Sequence, residues 1–420
     1  MTSYRNLFIR LLVGLLVLGA MACGGVSQGP ATEQPILIGV VAPFSTSPGE
    51  GIRHGVAMAV AEINAAGGVK GRQFRVVEFD DQFAAAKAVE GYQWLAGAKH
   101  VSAVVGFAGS GVFAAMEQLP RYGVPIICTG VGADRVTDMV RDDSARYGRT
   151  FRVMHRSSEL ADVTTSFIRE FLVGQLHLSR FAIIVEDDVW TKYLRDRWRE
   201  EIHQAGGVVV FEDVFSSQTT DFAAMLSRVR AAGAQYILDA SSKVPSALYL
   251  KRWAEMKGPL IGAVPTGAGT KRYYDEIGAA GTGVNSVGTI PSEWNPLTDR
   301  AAAWHRAYSA QHGDPEYTSA YSYDAVFLLK DAIERGGSAD PAALVTALEK
   351  SDVRGVVGRY QFGPDHHPRY GEGFRVINMV QYQMADANGY RVVWPRERAT
   401  ADFLFPPWYV GPAKVEKRPR

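Results

Sequence analysis

The sequence predicts an α/β protein built from two doubly wound lobes with parallel sheets. Three observations support this fold class. At 420 residues the chain exceeds one ordinary hydrophobic core, short β-branched runs alternate with helical periods along it, and the alternation restarts after Arg156. Two successive units of this kind imply two lobes of similar build, each with helices on both faces of its sheet.

The first unit begins at Ile36 with the apolar run ILIGVVAPF. The helix that follows carries one apolar stripe, formed by Ile52, Val56, Val60 and Ile63. Such a stripe suits packing on a sheet, and the Gly67-Gly68 pair predicts the end of the helix. Three further strands are predicted in RQFRVVEFDD, VSAVVGF and VPIICTG, and the last of these should bury Cys128.

The second unit repeats this pattern. It comprises three predicted helices, 160–172, 193–205 and 222–232, and four predicted strands, FAIIVEDD, GVVVFEDVF, AQYILDAS and PLIGAV. The segment GVNSVGTIPSEWNP is then predicted to lead the chain back toward the first unit. Three more helices, 299–312, 319–336 and 341–351, and a late β segment, GFRVINMVQYQ, complete the body.

The N-terminal residues indicate export. RNLFIRLLVGLLVLGAMAC has two arginines, an apolar run and then small residues, which predicts a signal peptide over residues 1–22. Two cleavage sites fit its end: AMA suits signal peptidase, and Cys23 resembles the lipid-modified cysteine of bacterial lipoproteins, although the residues before it depart from the usual pattern. Residues 23–35, rich in Gly, Ser and Pro, would then be a flexible linker to a membrane anchor.

Composition argues against several classes of partner and cofactor. The net charge of +1 gives no reason to expect nucleic acid or an acidic membrane surface. Cys128 is the one cysteine after Cys23, so no internal disulfide and no thiol metal site are predicted. The adjacent His366 and His367 lack the spacing that puts two metal ligands on one helix face, and we expect them in a solvated loop. No cofactor and no metal are predicted.

The glycine-rich segment GFAGSG, residues 106–111, lies between a predicted strand and a predicted helix. In an open parallel sheet, ligands collect where the carboxyl ends of strands meet helix N-termini, because unpaired N–H groups point there. Glycines let the backbone approach a ligand closely, and a carboxylate suits such a turn. Ser110 either donates a hydrogen bond to that ligand or only caps its own helix.

Enzyme motifs do not fit these glycine-rich segments. A nucleophile elbow needs glycines two positions on either side of the serine, where Ala108 and Val112 stand. GVGADR lacks the third glycine of a dinucleotide fingerprint, and GAVPTGAG has Ala268 where a phosphate loop needs lysine. No catalytic residue is predicted.

Several segments, taken in order, resemble one known family. IGVVAPF, EINAAGGVKGR, VSAVVGFAGSG, GVPIICTG, FAIIVEDDVW and AYSYDAV look like the type I periplasmic solute-binding proteins of the branched-chain amino acid group, over about 36–394. The resemblance implies two lobes joined by three crossovers, near MHRSS, IPSEW and GEGFR, that close on a solute by hinge motion. The implied bounds are 36–154 with 292–372 for one lobe, 155–291 with 373–396 for the other, and a C-terminal tail over 397–420.

The resemblance also implies ligand-binding residues. The first glycine turn, with Phe107, Gly109 and Ser110, would hold the ligand carboxylate. Gly130 and Val131 would supply backbone contacts from the next turn, and Trp190 would cover the ligand from the other lobe.

One family feature is missing from the sequence. The carboxylate that meets a ligand ammonium should lie in GAVPTGAG, which has no acid. Either Asp187 or Asp239 replaces it, or the ligand has no ammonium, in which case Ser241, Ser242 and Thr266 suit uncharged hydrogen bonding. We lean toward a ligand other than a simple branched-chain amino acid.

The predicted function is that of a binding protein for an ABC importer. It would be exported to the periplasm or cell surface, where it delivers a small polar or carboxylate solute to a membrane permease. The alternative is a ligand sensor that signals to a membrane partner, because the same fold serves both roles.

Overall fold

A computed structural model describes residues 34–241, 244–265, 271–383 and 390–411. The predicted signal peptide, Cys23, Ser242 and Thr266 lie outside these residues. Among the described residues, no helix combines the length and apolar character needed to cross a membrane.

The first sheet consists of five parallel strands. They are β1 (Ile36–Ala42), β2 (Phe74–Asp80), β3 (Ala103–Ala108), β4 (Ile126–Gly130) and β5 (Thr150–Arg152). Their order across the sheet is β2-β1-β3-β4-β5. The helices of this part of the chain are α1 (Ser47–Ala65), α2 (Ala85–Gln93, continued by a π-helical turn over Trp94–Ala98), α3 (Gly111–Met116), α4 (Leu119–Tyr122), α5 (Arg135–Asp142) and α6 (Ser144–Tyr147).

The predicted character of α1 is confirmed. Ile52, Val56 and Ile63 are buried in the core beneath the sheet, and the helix ends at Ala65, before the glycine pair at positions 67 and 68. Both glycines have positive φ, which a residue with a side chain rarely adopts. Cys128 is also buried in its strand as predicted.

The remaining strands are β6 (Arg180–Glu186), β7 (Val208–Phe215), β8 (Tyr236–Ser241), β9 (Leu260–Pro265), β10 (Asn285–Gly288), β11 (Val353–Arg354), β12 (Arg359–Tyr360), β13 (Asn378–Tyr382) and β14 (Tyr390–Trp394). The remaining helices are α7 (Ser157–Ser166, continued by a π-helical segment over Phe167–Val173), α8 (Val189–Gln204), α9 (Ala223–Ala231), α10 (Ser246–Glu255), α11 (Lys271–Ile277, followed by a 3₁₀ turn over Gly278–Gly281), α12 (Ala301–His312), α13 (Tyr317–Gly336) and α14 (Pro341–Glu349).

The second sheet has seven strands in the order β14-β13-β10-β9-β8-β6-β7. Its five parallel strands, β6 to β10, repeat the order of the first sheet, with the second strand at the edge and the first beside the third. In both sheets the strand order therefore reverses between the first and third strands, which is where open parallel sheets bind ligands.

The second sheet also carries two antiparallel strands at one edge, beside its five parallel ones. β13 pairs antiparallel with β10, and β14 pairs antiparallel with β13. The connection between β13 and β14 spans only residues 383–389, too few for the helical crossover that a parallel pair needs.

Two lobes are built around the two sheets. The first lobe contains the sheet β1–β5 and two buried clusters, to one of which α1, α12, α13 and α14 contribute side chains. The second lobe contains the seven-stranded sheet, with buried clusters on its two faces. The lobe bounds proposed from the sequence remain a prediction.

Glycines lie where two helices of the first lobe pack against each other. Gly51 and Gly55 of α1 face the beginning of α13. A Cβ atom added to Gly55 would stand 2.2 Å from the carbonyl oxygen of Ser319. These glycines therefore allow the backbones of α1 and α13 to come together.

Residues 400–411 form a strap on the second lobe, whereas the sequence predicted a tail from residue 397. The Gln381 side-chain amide donates to the carbonyl oxygen of Leu404 at 2.8 Å and accepts from the Leu404 N–H at 2.7 Å. The Trp408 indole donates to the carbonyl oxygen of Gly258 at 2.8 Å. The segment FLFPPWY has neither a helical nor a strand period, so the pattern gave no sign of this packing.

We expect the strap to stabilise the second lobe. Phe403 is buried among Phe167, Phe171 and Phe405, so Phe403→Ala should lower the free energy of unfolding by about 3–5 kcal/mol. The neighbouring Leu404 is 40% exposed, and Leu404→Ala serves as the matched control, with an expected loss below about 1 kcal/mol. Urea denaturation of both variants measures the difference, and equal losses would show that the strap is not packed as described.

Candidate functional site

A cavity of about 220 Å³ lies between the two lobes. It is bordered by the carboxyl ends of β3 and β4 in the first lobe and by those of β9 and β10 in the second. Residues that line it from the first lobe include Gly109, Ser110, Gly130, Val131, Gly132, Ala133, Glu316 and Tyr317, and residues from the second lobe include Asp188, Val189, Trp190, Pro265, Ser286 and Val287. We call this cavity the cleft.

The first glycine turn presents a serine to the cleft. Gly106 and Gly109 have φ values of 124° and 85°, conformations that favour glycine. Ser110 is the residue that precedes α3, but its side chain makes no capping hydrogen bond. The exposed hydroxyl has no hydrogen-bond partner among the described residues, so the alternative in which Ser110 caps its helix through its side chain is not seen.

The second turn follows β4 and leads into α5. The phenol of Tyr317, at the beginning of α13, donates to the carbonyl oxygen of Gly130 at 3.4 Å. The side chain of Arg152 donates to the carbonyl oxygen of Ala133 at 2.7 Å. Side chains therefore hydrogen-bond to carbonyl oxygens of the turn. The residues of the turn that line the cleft are Gly130, Val131, Gly132 and Ala133.

The wall from the second lobe is the beginning of α8. Asp188 precedes the helix and makes no side-chain cap, while the Thr191 hydroxyl donates to the carbonyl oxygens of Glu186 and Asp188 at 2.6 and 2.9 Å. Trp190 is partly buried and packs against the core of the second lobe. An aromatic face and a carboxylate are thus brought to the cleft by one helical turn.

The structure brings some of the predicted site residues together and separates others. Gly109, Ser110, Gly130, Val131 and Trp190 all line the cleft. Their roles in binding remain a prediction. Ser242 and Thr266 lie outside the described residues.

Phe107, Asp187 and Ser241 do not line the cleft. The Phe107 side chain is buried in the core of the first lobe. Asp187 is exposed, one position before the acid that does line the cleft. The hydroxyl of Ser241 is buried at 3.2 Å from the Tyr249 phenol.

Sequence reasoning missed several residues of the cleft. Asp188 stands one position after the predicted Asp187, a difference that depends on where the strand ends. Tyr317 and Trp294 come from segments far along the chain, and only the tertiary fold brings them to the glycine turns. The buried Tyr317 phenol has a pKa raised above its usual value by burial, so it acts as a neutral hydrogen-bonding group.

The charged groups of the cleft are mostly acidic. Among the described residues that line it there is no lysine or arginine, whereas Asp188, Asp314 and Glu316 are present. His155 also lines the cleft, and burial lowers its pKa to about 3, which leaves the imidazole neutral. The cleft can therefore offer carboxylates to a positive group, and backbone N–H groups to a negative one.

Asp239, the second alternative for the missing acid, is buried in the second lobe and does not line the cleft. Its carboxyl accepts from the Tyr249 phenol at 2.7 Å, and burial raises its pKa to about 7. The native state therefore keeps a proton that the unfolded chain releases above about pH 4, and this contribution to stability is lost as pH rises toward 7.

We expect Asp239→Asn to stabilise the protein at pH 8. The amide cannot ionise, so the gain in free energy of unfolding over the unmodified chain should be about 1–3 kcal/mol at pH 8 and less than about a third of that at pH 4.5. Thermal unfolding at the two pH values measures the difference. An equal effect at both pH values would contradict the assigned titration.

The described residues hold no cluster of histidine, cysteine, aspartate or glutamate that could bind a metal ion.

Comparison with known protein sequences identifies one family. Residues 35–383 match the family profile described as "Periplasmic binding protein". The chain is 25% identical over 392 residues to an "Amino acid binding protein" of Pseudomonas aeruginosa, covering 90% of this chain and 97% of the relative.

Solved structures share the fold. A branched-chain amino acid transporter substrate-binding protein of Streptococcus pneumoniae, in complex with isoleucine, superposes with a TM-score of 0.73 and 23% identity, covering 86% of this chain and all (100%) of that one. A solute-binding protein of an ABC transporter from R. palustris, in complex with benzoate, has a TM-score of 0.70 and 18% identity, covering 88% and 98% of the two chains. These similarities confirm the predicted fold class of two doubly wound lobes.

Proposed function

Because this chain belongs to the periplasmic binding protein family, we propose that it is the solute-binding protein of an ABC importer and captures a small solute that carries a carboxylate. One observation carries the proposal: the cleft has two glycine turns with backbone N–H groups and Ser110 on one lobe, and Trp190 with Asp188 on the other. A solute that contacts both walls is bound by both lobes at once.

The carboxylate of the solute would bind to the first lobe. The N–H groups at the start of α3 have no acceptor within their helix, and the Ser110 hydroxyl adds one more donor. Amides and hydroxyls that converge in this way suit a carboxylate.

The rest of the solute would contact the second lobe. The ring of Trp190 offers apolar surface, and Asp188 offers a carboxylate to an ammonium group. Asp188 lies in the lining of the second-lobe wall, just after the end of β6 and not in GAVPTGAG, and this supports including amino acids among the proposed ligands. Amino acids and aromatic carboxylates are therefore the first classes to test, in line with the ligands of the relatives described above.

The mechanism would be conformational. A solute that contacts both walls binds the closed arrangement of the lobes more tightly than the open one, and so shifts the population toward closure. The closed form would then be recognised by a membrane permease. No covalent step is needed, so the protein would act as a binder and not as an enzyme.

The proposed location is outside the cytoplasmic membrane. The N-terminal signal pattern and the family support export, and Cys23 would supply a lipid anchor there. Mass spectrometry of the mature N-terminus distinguishes acylated Cys23 from cleavage after AMA. None of the relatives described above is named as a receptor, and we do not propose the sensor alternative.

A thermal-shift screen tests the proposed function. The panel would contain amino acids, their amides, and short and aromatic carboxylates. A ligand at one hundred times its dissociation constant should add roughly 2.7 kcal/mol to the stability. Chemical conversion of a panel compound by the purified protein, or the absence of any shift across both carboxylate classes, would contradict the proposal.

A further inference from the structure

A polar cluster, mostly buried, lies next to the second glycine turn, where residues 152–159 meet residues 365–375. Its charged members are Arg152, Arg156, Glu159, Asp365 and Arg375, and His367 lies at its centre. We call this cluster the polar joint. The prediction that His366 and His367 form a solvated loop pair was wrong, because each is only 6% exposed.

The carboxylates of the polar joint are already paired. Arg156 forms an ion pair with Asp365. Glu159 lies 3.5 Å from Arg375 and 2.6 Å from the Nε2 of His367. The joint thus contains three guanidinium groups and two carboxylates, so one positive charge in it has no carboxylate to balance it.

The remaining positive charge belongs to Arg152. Its side chain is fully buried, and it forms no ion pair with any described residue. Asp134, another nearby carboxylate, instead accepts from the Ser158 N–H at 3.1 Å. A buried guanidinium without a carboxylate partner is costly, and such groups are normally paired.

Every hydrogen-bond partner of the Arg152 side chain is neutral. It donates to the carbonyl oxygens of Gly132 and Ala133 at 3.3 and 2.7 Å, and to the Thr137 hydroxyl at 2.9 Å. Its Nε also lies 3.3 Å from the Nδ1 of His367. Burial and the adjacent guanidinium groups hold the pKa of His367 well below its usual value, so the ring is neutral, accepts at Nδ1 and donates from Nε2 to Glu159.

The two carbonyl groups connect Arg152 to the cleft. In a trans peptide the C=O and N–H point in opposite directions, so fixing these oxygens directs the N–H groups of Ala133 and Asp134 away from the guanidinium. The N–H groups of Gly132, Ala133 and Asp134 make no hydrogen bond to any described residue. They stand at the beginning of α5, and Gly132 and Ala133 line the cleft.

We propose that Arg152 is a positioning residue that makes the second glycine turn a site for anions. Together with Ser157, whose N–H donates to the Gly132 carbonyl oxygen at 2.7 Å, it fixes the orientation of the turn. Its unpaired charge is balanced when a ligand carboxylate binds on the other side of these peptide groups. This inference rests on the proposed function. It also explains how a cleft lined by carboxylates, with no lysine or arginine among its described lining residues, can hold an anionic group.

Titration calorimetry with acid and amide pairs tests the inference. The probes are L-isoleucine with L-isoleucinamide, and benzoate with benzamide, because the amide keeps the shape of each acid and removes the negative charge. The proteins are the unmodified chain, Arg152→Met, Arg152→Lys and Arg149→Met. Arg149 donates to the carbonyl oxygen of Gly123 away from the cleft and serves as the matched control.

The inference predicts a change in the ratio of affinities. The unmodified chain and the Arg149→Met variant should bind at least one acid roughly tenfold more tightly than its amide, the scale of a charge-assisted hydrogen bond. Arg152→Met should reduce this preference to within about twofold by weakening the acid alone, and Arg152→Lys should retain most of it because it keeps the charge.

Several results would overturn the inference. One is Arg152→Met weakening acid and amide equally, which is what a purely structural role produces. A second such result is that the unmodified chain binds acid and amide with equal affinity and still closes. That result would overturn the inference about Arg152 but would not contradict the proposed function. If Arg152→Met does not fold, a folded Arg152→Lys variant that lacks the preference for the acid contradicts the inference in its place. An unmodified chain that binds neither acid contradicts the inference and the proposed function together.

Discussion

Replacing Trp190 with alanine is expected to weaken ligand binding by roughly 100- to 1000-fold, or about 3–4 kcal/mol, without unfolding the protein. Trp190 is one of the residues of the second lobe that line the cleft, and its ring is the largest apolar surface that α8 presents there. The variant should lose both the direct contact and much of the preference for closure, because closure depends on contacts made by the second wall.

The control for this prediction is a second tryptophan that also lies partly at the surface. Trp94 is 37% exposed on the first lobe, next to Lys99 and away from the cleft. Trp94→Ala should leave the affinity of any ligand from the screen within about twofold of its original value. Titration calorimetry measures the ligand affinity of the two variants. An unchanged affinity in the Trp190 variant would show that this residue is not part of the site.

Replacing Gly55 with valine is expected to lower the free energy of unfolding by more than about 4 kcal/mol. The new Cβ would stand 2.2 Å from the carbonyl oxygen of Ser319, and a backbone group cannot move aside as the end of a flexible side chain can. Helices α1 and α13 would have to separate, and Tyr317 at the beginning of α13 would move away from the glycine turn that it supports.

A matched control lies two positions along the same helix. Ala57 is exposed, so Ala57→Val makes a similar change in β-branching without a clash and should cost less than about 1 kcal/mol. Urea denaturation of both variants gives the comparison. A Gly55→Val protein as stable as the Ala57→Val protein would mean that the two helices do not approach as closely as described.

Local patterns predicted the parts of the fold that depend on local rules. The apolar stripe of α1 and the glycines after it are features of one helix and one turn, and both were found where the sequence placed them. The first glycine turn was predictable for the same reason, since a strand, two glycines and a helix start follow one another within a few residues.

The features that the sequence did not reveal depend on distant partners. His367 looked solvated because it is polar and lies beside another histidine, yet it is buried, and its Nε2 donates a hydrogen bond to Glu159, 208 positions away. The strap is held by the side-chain amide of Gln381 and not by any pattern of its own. Asp187 was the predicted residue, whereas Asp188 lines the cleft, because a one-residue difference in where a strand ends decides which side chain meets the cleft.

The central claim is that the two lobes close around a bound solute. Small-angle X-ray scattering of the full chain, with and without a saturating ligand from the screen, tests it most directly. We predict a smaller radius of gyration in the presence of ligand, because the walls that carry Ser110 and Trp190 approach each other. Scattering curves that coincide while calorimetry shows the ligand bound would contradict the account.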